Sequence, residues 1–259
     1  MNFVVHALDV TDSTQTEAQR LAAAGAPEGT VVTALHQRAG RGRRGHDWWD
    51  APGQSLLASV LLRPTGPVTA APQLSLVGGL AVADALVAVA SVPARIRWPN
   101  DLLVDGRKVC GILAEAASDG AGDGVGAGAS AGRLHHVILG IGVNLAQTAF
   151  PEALADRATS LRLVTGRAPE ADVVLAAVLE QLGRHYETWR AGGFAALRAA
   201  WLERSTLPGQ PVRLPDGSDG VGVDVGDDGI LVARAGDGRL VHIVSGGTAE
   251  EGMTHAARH

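Results

Sequence analysis

Lysine is almost missing from this chain. Lys108 is its only lysine among 22 basic residues, and every other one is arginine. A lysine kept against such a bias marks a need that arginine cannot meet: a compact ammonium on a thin stem, with movable donors. Cysteine is as scarce. Cys110 stands alone, which excludes an internal disulfide and a cysteine-based metal cluster. Excess positive charge is lacking too, and a net charge of −5 argues against a nucleic-acid partner for the chain as a whole. Residues 1–9 have no basic start followed by a long apolar run, so no secretion signal is expected. The longest apolar stretch, Ser75 to Ala94, holds Asp84 near its middle and is interrupted by Gly78-Gly79. A carboxylate in mid-membrane costs about 2.5–3.5 kcal/mol. The stretch therefore reads as a buried core helix with no membrane partner, and the protein as cytoplasmic.

What remains is an ordinary globular composition. With 259 residues and 46% hydrophobic content, the chain has enough apolar surface for one large domain, or one with a small appendage. Strands are expected at Phe3–Leu8, Thr30–His36, Ser55–Leu62 and Val137–Leu145, and helices at Thr14–Gly25, Pro72–Ala90, Pro169–Trp189 and Phe194–Glu203. Thr14-x-x-Glu17 has the spacing of a capping box. Arg95–Val104 and Arg107–Ala116 read as two strands joined by Asp105-Gly106, a strong hairpin signal. Ser118–Gly132 is nearly all Gly, Ala, Ser and Asp and reads as a surface linker. After Pro208, short strands alternate with Asp/Gly turns. The whole predicts an α+β fold, a mixed sheet flanked by helices over 1–206, with a small β-barrel over 207–259.

Three segments carry chemistry. Gly40-Arg41-Gly42-Arg43-Arg44-Gly45 has dinucleotide-loop spacing, but no helix follows and no acidic residue lies near position 65, so a Rossmann site and an NAD enzyme are disfavoured. Three arginines on a glycine-rich backbone suit a phosphate or carboxylate instead, and Trp48 and Trp49 stand ready to close over a bound ring. In the hairpin, a two-residue turn sets Leu103 opposite Lys108 and Asp101 opposite Cys110. Asp101 and Lys108 then become diagonal neighbours about 7–8 Å apart, which leaves room for a small anion between them or makes them an ordinary cross-strand ion pair. Gly140 and Gly142 lie on one face of their strand, where a ligand or another backbone can come close. His135-His136 point to opposite faces and receive no role.

Taken in order, Asp12-Ser13-Thr14, Gln37-x-x-Gly40-Arg41-Gly42-Arg43-Arg44-Gly45, Trp48, Arg97-Trp98-Pro99-Asn100-Asp101-Leu102, Arg107-Lys108-x-x-Gly111-Ile112-Leu113-x-Glu115 and Gly140-x-Gly142-x-Asn144 resemble the biotin–protein ligases. The likeness spans about residues 1–205, and the terminal strands fit that family's SH3-like domain. The resemblance implies two steps: ATP converts biotin to biotinyl-5′-AMP, then a lysine of a biotin carboxyl carrier domain takes the biotinyl group.

In this sequence the resemblance implies a biotin site of Ser13, Thr14, Gln37, Gly40, Arg41, Arg43, Trp48, Lys108, Gly111, Gly140 and Gly142. It implies an ATP site of Arg43, Trp48, Asn100, Lys108 and Asn144, with Asn144 reading adenine. Lys108, Arg43 and Asp101 would be catalytic, with Asp101 orienting the incoming amine or holding the Mg²⁺ that accompanies ATP. The chain departs from the family pattern in three ways. Ser13 and Thr14 come too early for an N-terminal helix-turn-helix, so no DNA binding is expected. Thr248–Gly252 replaces the usual tail, and Gln15 stands where Asn often follows the Ser-Thr pair. The rival readings are a lipoate or octanoate ligase of related fold and a biotin sensor without catalysis.

Overall fold

A computed structural model describes residues 1–118 and 132–244. Most of the expected linker, and the unusual tail at Thr248–Gly252, lie outside the described residues. The larger sheet has seven strands, in the order β1 (Val4–Thr11), β2 (Thr30–Gln37), β3 (Ser55–Leu62), β7 (Leu134–Asn144), β6 (Arg107–Ser118), β5 (Asp101–Val104) and β4 (Arg95–Arg97). β1 and β2 run parallel and the other neighbours antiparallel, so the sheet is mixed as expected.

Helices cover both faces. On one, α1 (Thr14–Ala23) packs Ala18 and Ala22 with Val32, Leu61 and Ile138. On the other, α2 (Gln73–Ala90) and α5 (Ala171–Gly192) join Val60, Leu62, Leu139 and Val143 in the main core. β3 lies between the layers and is buried along its whole length. Its near-continuous apolar run is what a strand covered on both faces requires. The stretch ending in α2 is long and apolar enough to cross a membrane, yet most of it is buried in this core. Asp84 within it is ion-paired, with Oδ2 2.8 Å from His185 Nε2 and Oδ1 2.6 Å from Arg204 Nε, so a carboxylate is tolerated there.

Four expectations need correction. The capping box does not form: Ser13 is the N-cap, Thr14 is the first helical residue, and Glu17 pairs with Arg20. The Thr14 hydroxyl is engaged by Gln37 and Ser59 instead. The strand expected over Arg95–Val104 is broken at residues 98–100, where the chain turns between β4 and β5. The hairpin keeps Leu103 opposite Lys108, but an irregularity between Leu102 and Leu103 sets Asp101 opposite Gly111, not Cys110. Finally, the helix expected over Phe194–Glu203 splits into a 3₁₀ turn, Phe194–Ala196, and α6 (Arg198–Arg204). Two short helices, α3 (Glu152–Ala155) and α4 (Leu161–Thr165), were not expected.

β8 (Gln210–Arg213), β9 (Asp219–Val225), β10 (Leu231–Ala235) and β11 (Leu240–Ile243) pair successively into the small antiparallel sheet of an SH3-like unit. Val212, Leu214, Val225 and Leu231 are continuous with the main core, so the small sheet shares its apolar interior with the large one.

Candidate active site

The floor of the site is glycine. Gly111 on β6 pairs with Gly142 on β7, and Leu113 with Gly140. The indole of Trp48 lies on this floor: a Cβ at Gly142 would come within 2.6 Å of its ring, and one at Gly111 within 2.9 Å. The Gly/Arg loop brings Trp48 there by folding back on itself. Trp48 N donates to Gly40 O at 2.9 Å, Gly42 N to His46 O at 2.7 Å, and Arg41 and Asp47 form an isolated bridge. Gly40 is needed at this crossing, since a Cβ would sit 2.6 Å from Trp48 O. A narrow cleft opens beside the indole, lined by Ser13, Thr14, Gln37, Arg41, Trp48, Gly111, Gly140 and Gly142 among others.

One end of the cleft is neutral and polar. Gln37 Oε1 accepts from Thr14 N at 2.8 Å and from Thr14 Oγ1 at 3.0 Å. Thr14 Oγ1 lies 2.9 Å from Ser59 Oγ, which donates to Gln15 Oε1 at 3.0 Å, and Gln15 Nε2 donates to Ile138 O at 3.0 Å. The oxygen of Gln37 is thus spent on the protein, and its amide nitrogen remains a donor. Ser13 Oγ and Trp48 Nε1 are buried with no hydrogen-bond partner among the described residues. Buried polar groups are normally paired, so both suit a ligand with polar edges.

Past Gly111, just outside the cleft lining, the other end of the site is charged, with Lys108 Nζ 3.2 Å from where a Gly111 Cβ would lie. Lys108 Nζ stands 2.6 Å from Asp101 Oδ1 and 5.7 Å from the centre of a Trp48 ring. Arg97 Nη2 donates to Asp101 Oδ2 at 2.8 Å. Burial pushes the Asp101 carboxyl up, but the Lys108 ammonium and the Arg97 guanidinium outweigh it and hold the group below the usual carboxylate range. The gap expected between Asp101 and Lys108 is therefore closed by a direct ion pair, since the two side chains together are long enough to span it. The loop arginines are held too: Arg43 Nη1 donates to Asn100 Oδ1 at 3.0 Å and Arg41 Nη2 to Glu115 Oε2 at 2.7 Å. Cys110 is fully enclosed, and burial pushes its thiol well up, so it is no nucleophile.

Asp101 does not fit the role of metal ligand. Both its oxygens are occupied by cationic side chains, and no cluster of three His, Cys, Asp or Glu residues is present among the described residues. Asn144 shares a strand face with Gly140 and Gly142 but lies off the cleft wall. Its Nδ2 donates to Thr159 O at 3.0 Å and its Oδ1 accepts from Gln147 Nε2 at 3.4 Å, leaving one N–H and one lone pair for a ligand.

Residues 7–144, more than half the chain, match the model of the biotin/lipoate A/B protein ligase family. The chain belongs to this family. Among its relatives, the biotin–[acetyl-CoA-carboxylase] ligase of Paracoccus denitrificans is 39% identical over 239 residues, which cover 89% of this chain and 94% of that one. The corresponding ligase of Mycobacterium tuberculosis is 37% identical over 245 residues, 91% and 85% of the two chains. The biotin protein ligase from Aquifex aeolicus, solved in complex with biotin and ATP, superimposes with a TM-score of 0.76 at 28% identity, covering 93% of this chain and 96% of that one.

Of the motif residues, Ser13, Thr14, Gln37, Arg41, Trp48, Gly111, Gly140 and Gly142 line the cleft of this member of the biotin/lipoate ligase family, while Gly40, Arg43, Asn100, Asp101, Lys108 and Asn144 do not, and several neighbouring side chains lie outside the motif roles. Ser59 and Gln15 extend the neutral end, Arg97 shares Asp101 with Lys108, Glu115 holds Arg41, and Gln147 holds Asn144. Ser59 had a weak signal, a hydroxyl inside an apolar strand. Gln147 had none.

Proposed function

We propose that the chain activates biotin with ATP and transfers the biotinyl group to a lysine of a biotin carboxyl carrier domain. The observation that carries this reading is the pairing of a neutral, amide-lined end with a solitary ammonium across the glycine floor. Biotin has the matching polarity: a ureido ring with two N–H donors and one acceptor, and a carboxylate at the far end of its chain.

Ser13, Thr14 and Gln37 bind the ring in this reading, and Gly111, Gly140 and Gly142 leave it room. Lys108 has three donors, of which Asp101 takes one. The other two bridge biotin's carboxylate and the α-phosphate of ATP, two anions that otherwise repel. A carboxylate oxygen forms a bond to the α-phosphorus as the bond to pyrophosphate breaks, and pyrophosphate leaves with the electron pair. Arg43 and Arg41 leave their protein partners to meet the developing phosphoryl charge, while Trp48 excludes water from the anhydride. In the second step the carrier amine attacks the acyl carbon, AMP departs, and the amine gives up its proton. Asp101 would have to release one of its two cations to orient that amine, and Asn100 and Asn144 serve the nucleotide. Mg²⁺ is expected to travel on the phosphate oxygens of ATP, with no side chain here assigned to it. A reaction that consumes ATP suits the cytoplasm, and the carrier domains of acyl-CoA or pyruvate carboxylases are the expected acceptors.

A lipoate or octanoate substrate fits less well. A plain carbon chain would leave the Gln37 amide and the Ser13 hydroxyl unpaired, and discrimination on such groups is strong. The test offers biotin, lipoate and octanoate in turn with ATP and follows pyrophosphate release, then weighs the adenylate retained by the protein. Biotin alone should give turnover. Turnover with lipoate alone overturns the reading.

A further inference from the structure

The turn that carries Asn100 and Asp101 has little sheet to lean on. β4 is only three residues long and forms the edge of the large sheet. Beyond Arg97 the chain leaves the ladder, so Trp98 has no strand partner among the described residues. Gln210, the first residue of β8, takes that place from the small sheet. Its Oε1 accepts from Trp98 N at 2.9 Å and its Nε2 donates to Trp98 O at 2.7 Å. One planar amide thus satisfies both backbone groups of a single residue, as a neighbouring strand would. Thr206 Oγ1 donates to the same Gln210 oxygen at 3.1 Å, and the Trp98 indole donates to Gly229 O at 3.1 Å. Trp98 and Gln210 are each 3% exposed, so water is no substitute for these bonds.

The turn then closes through Asn100 N and Arg97 O at 3.2 Å, and delivers the two side chains that hold Arg43 and Lys108. We propose that Gln210 is a positioning residue for adenylate formation: by clamping Trp98, it sets where Asn100 and Asp101 present the cations to the reacting groups. Gln210 touches no reacting atom. The inference rests on the biotin-activating reading above.

Gln210→Glu tests it, because it exchanges one donor for an acceptor at constant shape. An ionised carboxylate sets an oxygen against Trp98 O; the protonated acid restores an O–H donor and keeps the acceptor. The partners of the amide, Trp98 and Thr206, do not titrate. Single-turnover adenylate formation per active site at pH 8.5 should fall about 10–100-fold, the scale of a misplaced catalytic group. The ratio of variant to parent should then rise as the pH is lowered to 6. Biotin binding without ATP should be unchanged. A merely structural role would lower the active fraction and the melting temperature while leaving the rate per active site and its pH ratio unmoved, and that result overturns the proposal. If Gln210→Glu does not fold, Thr206→Val decides. It keeps the clamp but removes its support, and should slow adenylate formation about two- to fivefold; an unchanged rate overturns the proposal. A parent protein that releases no pyrophosphate from ATP with biotin sinks the biotin-activating reading and the clamp with it. A parent that does, matched by Gln210→Glu at every pH, sinks the clamp alone.

Discussion

The two ends of the site are built by opposite means. At the neutral end, Thr14, Gln37, Ser59 and Gln15 hold one another through hydrogen bonds between uncharged groups on α1, β2 and β3. At the charged end, Lys108, Arg97 and Asp101 form a compact ionic group on β4, β5 and β6. The contrast separates recognition from rate. Neutral bonds formed before the substrate arrives fix a shape and contribute equally to the ground and transition states. Ionic groups with spare donors act on charge that develops only during the reaction.

The largest effect should come from breaking the charged end. Lys108→Arg keeps the charge but places a planar fork where a point charge is needed. Adenylate formation should fall about 10²–10³-fold, with biotin binding and the melting temperature nearly unchanged, as read from pyrophosphate release and a thermal melt. Asp101→Asn tests the same end through stability. Removing one member of a buried ionic group costs about 3–5 kcal/mol, measured by denaturant unfolding at pH 7. The pH dependence has a definite sign. Because the folded carboxyl lies below its ordinary value, its contribution is complete above the usual carboxylate range and is lost as the pH falls through the folded value. The parent and Asp101→Asn should therefore converge in stability in acid.

Smaller effects sharpen the comparison from the other side. Gly142→Ala sets a methyl group 2.6 Å from the Trp48 indole, which must move off the floor. Overpacking of this kind costs about 1–3 kcal/mol, so the KM for biotin and ATP should rise roughly tenfold or more. Thr14→Val deletes the hydroxyl that joins Gln37 to Ser59, at a cost of about 1 kcal/mol. It should raise the biotin KM severalfold and leave kcat intact. A fall in kcat as large as that of Lys108→Arg would show that the two ends do not divide the work.

Much of the scaffold was legible because single-residue properties decide it. β3 is mostly apolar on both faces, α2 is apolar nearly all round with Asp84 the charged exception, and Asp105-Gly106 can do little but turn. The glycine floor was readable for the same reason: alternation along β7 puts Gly140 and Gly142 on one face. What escaped depends on partners far away in sequence. The irregularity beside Leu102 moves Asp101 by one register position, a shift that no local signal announces. The break at residues 98–100 had a local sign in Pro99, which has no N–H for a ladder, but the amide that satisfies Trp98 there comes from Gln210, 112 residues further on. Gln15 meets Ser59 across 44 residues and Ser55 meets Gln147 across 92, so neither could be found by spacing.

The arginine bias has a consequence for the intermediate itself. An acyl adenylate acylates any unprotonated amine it meets, and a guanidinium, never deprotonated in proteins, is inert to it. Apart from its amino terminus, this chain offers one amine, and Asp101 keeps that one in an ion pair. An enzyme so short of amines should leave its own surface almost unmarked by the reagent it makes.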